Sequence, residues 1–485
     1  MNTSEKNTNK DPDKNSNKNS NKEALKSGVW YTFSNFLLQG MAFITTPIFA
    51  RLLTKADYGA YSNYVAWFSI VVIVCTIEFK SSVSRAYYDF KDDFDGYLSS
   101  VTWLGTFITA AFYIIVLTFH GFFEKLLGMD LLLINIMFIN VLFAPALEIL
   151  QAKHRIELKY KAFVVISVIT TLLSTFLSVL LVVNMKDRLL GRIIGQSAPM
   201  LVAYIIAFIV LIKAGKTVFK ASYWKYAVAF SLPIVPHLLS NTILGSSDKI
   251  MITNMVGKEA TASYSLAYSC GMIIAVLFTS MNQAWVPWLY DRLYKEEYGL
   301  VNRISKLYMI VFVIMVEGSI LLAPELMLIL GGKGYSESAY IVAPIMLGYG
   351  FKFAYTLYVN LEQFEKKTFF ISVGTITSAL VNIILNLILI PIFGYRAAAY
   401  TTMIGFILLF IMHMIFSTYI LKLKNAYSNS FIILMLIVMT ACGLLSSLLY
   451  QNTIARYIVI GLLAVAGLIL LYRLYVKYRS AGKKI

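Results

Sequence analysis

Residues 225–268 read KYAVAFSLPIVPHLLSNTILGSSDKIMITNMVGKEATASYSLAY. The stretch is long enough to enter a bilayer, yet it carries Pro233, Pro236, His237, Asn241 and the adjacent Asp248 and Lys249. A charge at the bilayer centre costs at least ~2.5–3.5 kcal/mol on insertion scales. The two prolines remove backbone donors, and the freed carbonyls need partners. A broken helix whose polar face looks into a water-filled cavity meets both demands. An earlier stretch, from about Ser27 to Tyr64, echoes this one. The reading that follows is two related halves around a shared cavity.

Composition agrees. Of 485 residues, 59% are hydrophobic and only 14% charged, and the mean hydropathy is +0.71. These values predict an all-α polytopic membrane protein. The net charge of +17 would suggest nucleic acid in a soluble chain. Here the basic residues fall between apolar runs, so topology explains them and no nucleic-acid partner is expected. Cys75, Cys270 and Cys442 are scattered within apolar runs, which suits neither a disulfide framework nor a metal site. Residues 1–24 are rich in Asn, Lys and Ser and are expected to be disordered, with no cleaved signal peptide.

A window of ~19 residues predicts about fourteen spans. They are 27–49, 60–80, 98–120, 130–150, 162–185, 190–212, 226–248, 262–282, 304–324, 338–358, 369–391, 397–420, 429–450 and 454–475. With the N-terminus inside, cytoplasmic segments hold about 30 of the 42 Lys and Arg residues, so the positive-inside rule places both termini in the cytoplasm. WVPWLYDRLYKEEYG (285–299) is expected to lie along the inner interface.

A shift of 203 superposes Lys55 on Lys258, Tyr61 on Tyr264, Ser62 on Ser265, Val83 on Val286 and Tyr87 on Tyr290. Six helices per half is an even number, so the repeats run parallel, with two helices added at the end. The expected organisation is a tail over 1–24, six-helix bundles over 25–213 and 225–420, and two further helices with a basic tail over 428–485.

Several segments carry a family resemblance. SGVWYTFSNFLLQGMAFITTPIFARLLTKADYGAYS (27–62), SLPIVPHLL with SSDKIMI and VGKEATASYSLAY, LLAPELMLILGGKGYSESAYIV and IPIFGYRAAAYTT resemble the polysaccharide transporter family. That family holds O-antigen-type flippases within the multidrug/oligosaccharidyl-lipid/polysaccharide exporter superfamily. The resemblance covers nearly the whole chain from about residue 25. It implies a central V-shaped cavity lined by helices one, two, seven and eight. It also implies alternating access, undecaprenyl-diphosphate-linked oligosaccharide as cargo, and a bacterial cytoplasmic membrane location. Glycan polymerases and glycosyltransferases become expected partners beside membrane lipids, with H+ or Na+ as coupling ion. A drug or metabolite cation antiporter of the same superfamily is the alternative.

A charged diphosphate and its sugars must cross ~30 Å of hydrocarbon, so the candidates are polar residues within spans. Asn35 and Gln39 share a face of the first span, where their amides would meet sugar hydroxyls or neighbouring helices. Glu78, Lys80 and Arg85 stand at the cytoplasmic mouth of the second span. Lys80 and Arg85 would meet the diphosphate, or form an ordinary basic flank with a Glu78 ion pair. In the seventh span, His237 and Asn241 share a face, and Asp248 and Lys249 sit toward the outer end as gate, lumen residues or ion pair. Glu317 and Lys352 are isolated intramembrane charges that would pair with each other, or leave Lys352 to substrate and Glu317 to a coupling cation. Arg51 and Arg192, near the outer face, would hold diphosphate or snorkel. Glu78, Asp248 and Glu317 are the candidates for gate or ion coupling. No catalytic constellation, cofactor motif or metal spacing is present: there is no G-x-x-x-x-G-K-[ST] and no H-E-x-x-H.

Overall fold

The computed structural model describes residues 40–41, 43–423 and 426–481, and every regular element among them is a helix. The first half runs α1 (Phe43–Leu52), α2 (Lys55–Thr76), α3 (Lys80–Asp89), α4 (Phe94–Thr118), α5 (His120–Leu127), α6 (Leu131–Ile156), α7 (Tyr160–Asn184) and α8 (Arg188–Gly215). The second runs α9 (Ala221–Ser231), α10 (Val235–Met255), α11 (Lys258–Tyr294), α12 (Tyr298–Leu321), α13 (Ala323–Gly331), α14 (Ala339–Phe364), α15 (Phe369–Phe393) and α16 (Arg396–Ile415). Then come α17 (Asn429–Ser446) and α18 (Thr453–Ala481).

Ten segments are long and apolar enough to cross a membrane, eleven when the bent pair α9–α10 is taken as one span. Fourteen were expected from the sequence. The expected first span lies mostly outside the described residues, and the last contributes a shorter apolar helix, Thr453–Ile469. The tenth, α14, is not among the ten. Tyr349, Lys352, Tyr355 and Tyr358 lower its hydropathy, and most of its 26 residues are buried by neighbouring helices. The apolar exterior is that of a protein solvated by lipid. On α7, Val165, Ile169, Leu172, Phe176, Leu180 and Val183 form an exposed stripe at helical spacing.

Spans alternate in direction, so the loops near residues 91, 157, 218, 296, 366 and 422 gather at one end of the bundle. This is the basic face. Loops near 53, 128, 186, 256, 332 and 394 gather at the opposite face. The repeat is visible in element order. Helices α2 and α11 open at Lys55 and Lys258, and the short α5 and α13 at His120 and Ala323, both 203 residues apart. Between α6 and α14 the offset is 208 (131 to 339), and it is 208 again between α8 and α16 (188 to 396).

The seventh span is divided between the halves. Pro233 cannot donate to the helical ladder and crowds the preceding turn, and Pro236 starts a new helix. The axes of α9 and α10 differ by 49° across the break. Tyr223 and Ala227 of α9 pack into the core of the first half beside Tyr97. There the Tyr223 hydroxyl donates to Asp93 at 2.6 Å and the Tyr226 hydroxyl to Asp89 at 2.8 Å. On α10, Leu244 and Ile252 belong to the core of the second half. The bundle boundary expected at residue 225 therefore falls inside α9.

At the opposite face the halves close on each other. Phe49, Ala50, Leu53 and Tyr58 share a core with Tyr264, Leu266 and Leu330. Gly59 lets α2 lie directly on the start of α11, where a Cβ would stand 1.7 Å from the Lys258 carbonyl oxygen. Gly257, at φ 128°, turns the chain into α11 in a conformation open only to glycine. The guanidinium of Arg51 donates to the carbonyls of Leu328 (3.2 Å) and Ile329 (2.8 Å), in the last turn of α13. Lys55 lies 5.1 Å from the ring of Tyr335, whose hydroxyl burial pushes up to about 12. Toward the basic face α11 exposes Leu277, Thr279, Ser280, Gln283 and Ala284. The 285–299 stretch does not form a separate interfacial helix. Residues through Tyr294 continue α11, whose 37 residues extend ~55 Å, and Trp285, Leu289 and Leu293 are buried along it.

Candidate functional site

The polar centre of the molecule is built on α10, where consecutive side chains point about 100° apart. Asp248 faces α15 and α16 and is only 1% exposed. Its Oδ2 accepts from the hydroxyls of Thr402 (2.5 Å) and Tyr264, and its Oδ1 accepts from Asn386 Nδ2 at 2.6 Å. Thr401 donates to the Asn386 carbonyl oxygen, Asn386 Nδ2 also donates to Asn382 Oδ1 at 3.3 Å, and Asn382 Nδ2 donates to Thr402 at 3.3 Å. All of these residues are buried. Three donors hold the carboxylate, and no basic side chain among the described residues forms an ion pair with it. The set is one carboxylate, two amide oxygens and three hydroxyls, all hard oxygen donors of the kind that replace the water shell of a small cation. Among the described residues no group of three or more His, Cys, Asp or Glu side chains suits a metal ion.

Lys249, the next residue, lies along α11 one turn beyond the Tyr264 that bonds Asp248. Its ammonium lies 5.4 Å from the ring of Tyr268. From α14, Lys352 lies 5.7 Å from Tyr349 and 5.5 Å from Phe406. The rings of Tyr268 and Tyr349 are 6.2 Å apart, and those of Tyr264 and Tyr268 are 5.9 Å apart. Two lysines thus flank one cluster of aromatic rings inside a membrane-spanning bundle. Neither has a carboxylate within ion-pair distance among the described residues. A ring face gives each ammonium ~0.5–2 kcal/mol, well short of a full counter-ion in a dry interior. The arrangement is chemically ready for an anion, with faces against which sugar rings could lie.

The remaining sequence candidates are dispersed. Asn35 and Gln39 lie outside the described residues. Lys80 pairs with Glu78 at 3.0 Å and also with Glu148 of α6 at 3.2 Å, so the basic-face end of the first half holds two carboxylates around one lysine. The chain breaks between α2 and α3 there, with Ile77 and Glu78 at φ 47° and 52°, a costly conformation for a β-branched residue. Arg85 is exposed and pairs with Asp89 at 3.0 Å on its own helix. Asn241, also exposed, shares a 3.2 Å hydrogen bond with His237. Glu317 is buried, has no hydrogen bond to Oε1 among the described residues, and lies against Gly443 of α17, not against Lys352. Asp248 and Lys249 are not an ion pair. Arg192 does not snorkel. It is 9% exposed, donates to Ser178 (2.7 Å) and Tyr61 (2.9 Å), and stacks 3.8 Å over Phe49. Tyr61 and Tyr264 are repeat-equivalent, so each half centres a polar cluster on the same tyrosine, cationic in the first half and anionic in the second.

Sequence reasoning missed Asn382, Asn386, Thr401, Thr402 and Glu148. Asn382 and Asn386, four apart in an otherwise apolar span, were a usable signal. So were the paired threonines of AAAYTT. What could not be read was that they meet Asp248, 138 and 154 positions away.

Comparison with known proteins places this geometry. The family profile described as polysaccharide biosynthesis protein matches residues 24–292. The Lsg locus putative protein 1 of Haemophilus influenzae is 21% identical over 162 residues, 33% of this chain, and the match spans 40% of that relative. The solved structure titled lipid II flippase MurJ, inward closed conformation, superposes with TM-score 0.71 at 15% identity, over 92% of this chain and 100% of that one. VcmN, a Vibrio cholerae MATE transporter, superposes with TM-score 0.55 at 12% identity, over 84% and 98% of the two chains. These two likenesses show a shared fold.

Proposed function

We propose, from the premise that the chain belongs to the polysaccharide biosynthesis protein family, that it is a flippase for undecaprenyl-diphosphate-linked oligosaccharide. It carries the headgroup from the cytoplasmic to the outer leaflet of a bacterial cytoplasmic membrane by alternating access between its two halves. The observation that carries the reading is the pair of lysines, Lys249 and Lys352, which flank Tyr268, Tyr349 and Phe406 within the bundle and form no direct ion pair among the described residues. A diphosphate supplies the missing negative charge, and the rings give sugars an amphipathic wall. The contacts around Gly59 and Arg51 close the outer end in this state. The basic face corresponds to the cytoplasm by the positive-inside rule.

Asp248 is the coupling-ion site in this reading. A cation on its oxygens, or a proton on its carboxylate, changes the helix that also carries Lys249. Ion occupancy and substrate affinity are thereby linked through one turn of α10. The superfamily's cation antiporters share the fold, but lysines lining the site oppose a cationic cargo.

The test is reconstitution into liposomes with an undecaprenyl-diphosphate-linked glycan, translocation being read by accessibility of the sugar to an external lectin. Lys249→Gln and Lys352→Gln should each lower the rate at least tenfold, and the double variant should be inactive. Full activity in the double variant, or translocation of cationic dyes in place of the glycolipid, would overturn the assignment.

A further inference from the structure

A second site lies outside the central one, where α17 meets the second half. Between the start of α12, the end of α16 and the start of α17, at the basic face, is a cavity of about 830 Å³. Its described lining is rich in hydroxyls and amides, and Lys306 is its sole charged residue. No carboxylate pairs with Lys306 among the described residues, and its ammonium lies 5.6 Å from the Phe431 ring. The final turn of α16 widens into a π-helix over Phe416–Ile420, which re-aims Thr418 and Tyr419 at this cavity.

Deeper in the membrane, α14, α16 and α17 enclose an apolar groove of about 580 Å³. The two spaces lie along one seam. On α16, Thr418 of the polar cavity follows Ile411 and Met414 of the groove at intervals of seven and four. On α17, Asn429 and Ser430 precede Ile433 and Ile437 at intervals of four and seven. On α17 those intervals keep the polar and apolar residues on one helix face. From Ile433 to Ala441 the groove extends ~12 Å, close to the ~15 Å of a single leaflet. An apolar slot of leaflet depth, ending in a polar chamber with one ammonium, has the shape and charge of a lipid.

We propose that this seam binds one anionic glycerophospholipid of the basic-face leaflet, with an acyl chain in the groove and its phosphate on Lys306. One lysine balances a single phosphodiester, whereas a diphosphate carrier would leave charge uncompensated. The chamber's hydroxyls and amides suit a polyol headgroup. The bound lipid fills the cleft between α17 and α16, the helix that supplies Thr401 and Thr402 to Asp248.

The test uses the full chain in detergent with phosphatidylglycerol bearing a photoactivatable group midway along one acyl chain. Irradiation should label α16 and α17 peptides containing Ile411, Met414, Ile433 or Ile437. Unlabelled phosphatidylglycerol should compete. Phosphatidylcholine, glycerol phosphate and undecaprenyl diphosphate should not. Lys306→Gln should weaken competition about fivefold, the effect of one lysine on an anionic lipid. Ile437→Trp should abolish labelling by filling the groove, and an unchanged melting temperature shows that it folds. Labelling elsewhere, equal competition by phosphatidylcholine, preference for undecaprenyl diphosphate or for glycerol phosphate, or no effect of Lys306→Gln would each overturn the proposal. Capture is read without transport, so it stands or falls apart from the flippase reading.

Discussion

Closure of the opposite face rests on one glycine, and adding a single methyl group there tests it. At Gly59 a Cβ would meet the Lys258 carbonyl oxygen at 1.7 Å, its carbon at 2.6 Å and the Ala262 nitrogen at 3.1 Å. All three are backbone atoms of α11, so no side chain can rotate away. Ordinary contact begins near 3.4 Å, and Gly59→Ala must therefore part α2 and α11 by about 1.7 Å, the difference of the two distances. Overpacking of this kind costs ~1–3 kcal/mol. If the strain is confined to this closed state, the equilibrium moves about 5- to 150-fold toward conformations in which the ends have separated. The assay is labelling of Ser265→Cys by a membrane-impermeant maleimide, after replacement of Cys75, Cys270 and Cys442. Ser265 is 4% exposed on the covered stretch of α11. Gly59→Ala should raise its labelling rate at least fivefold. Gly318→Ala, whose Cβ would meet nothing within 4 Å, should leave it unchanged. Equal rates in the two variants would refute the closure argument.

Other residues give sharp expectations. Asp248→Asn forces an amide donor against Asn386 Nδ2 or against the Thr402 and Tyr264 hydroxyls. It should cost ~1–3 kcal/mol and remove any sodium-dependent rise in melting temperature; sodium stabilisation that survives would contradict the ion assignment. Arg192→Lys cannot reach Ser178 and Tyr61 together and loses the flat stack on Phe49. A melting temperature equal to wild type would show that the guanidinium geometry is dispensable. Arg456 of α18 is 3% exposed and bonds Glu325 of α13. Arg456→Met should destabilise by ~1–3 kcal/mol, and adding Glu325→Gln should recover part of the loss; strictly additive effects in chemical denaturation would deny the coupling.

The broken seventh span was legible because Pro233 and Pro236 act through the local backbone, whatever packs around them. The repeat was legible in Lys55 with Lys258 and Tyr61 with Tyr264, since equivalent places in two bundles demand equivalent turns and anchors. The partner of each charge was not. An ion pair was one of the readings open for Asp248 and Lys249, yet they form none: Asp248 is held by Thr402, Asn386 and Tyr264, while Lys249 lies by the ring of Tyr268. Glu317 and Lys352 could be read as each other's counter-ions or as separate ion and substrate contacts, and the packing of α12 on α17 sets Glu317 against Gly443, away from Lys352.

Hydropathy, proline placement and internal repetition belong to the chain alone. They settled that the protein is helical, lives in a bilayer and is built twice over, because each follows from the solvation of backbone and side chains within some twenty residues. Which oxygen faces which ammonium depends on how helices from distant parts of the chain rotate against one another. A rotation of one residue, about 100°, would carry Lys249 to where Asp248 stands. Only tertiary packing, down to the absence of a methyl group at Gly59, sets that angle.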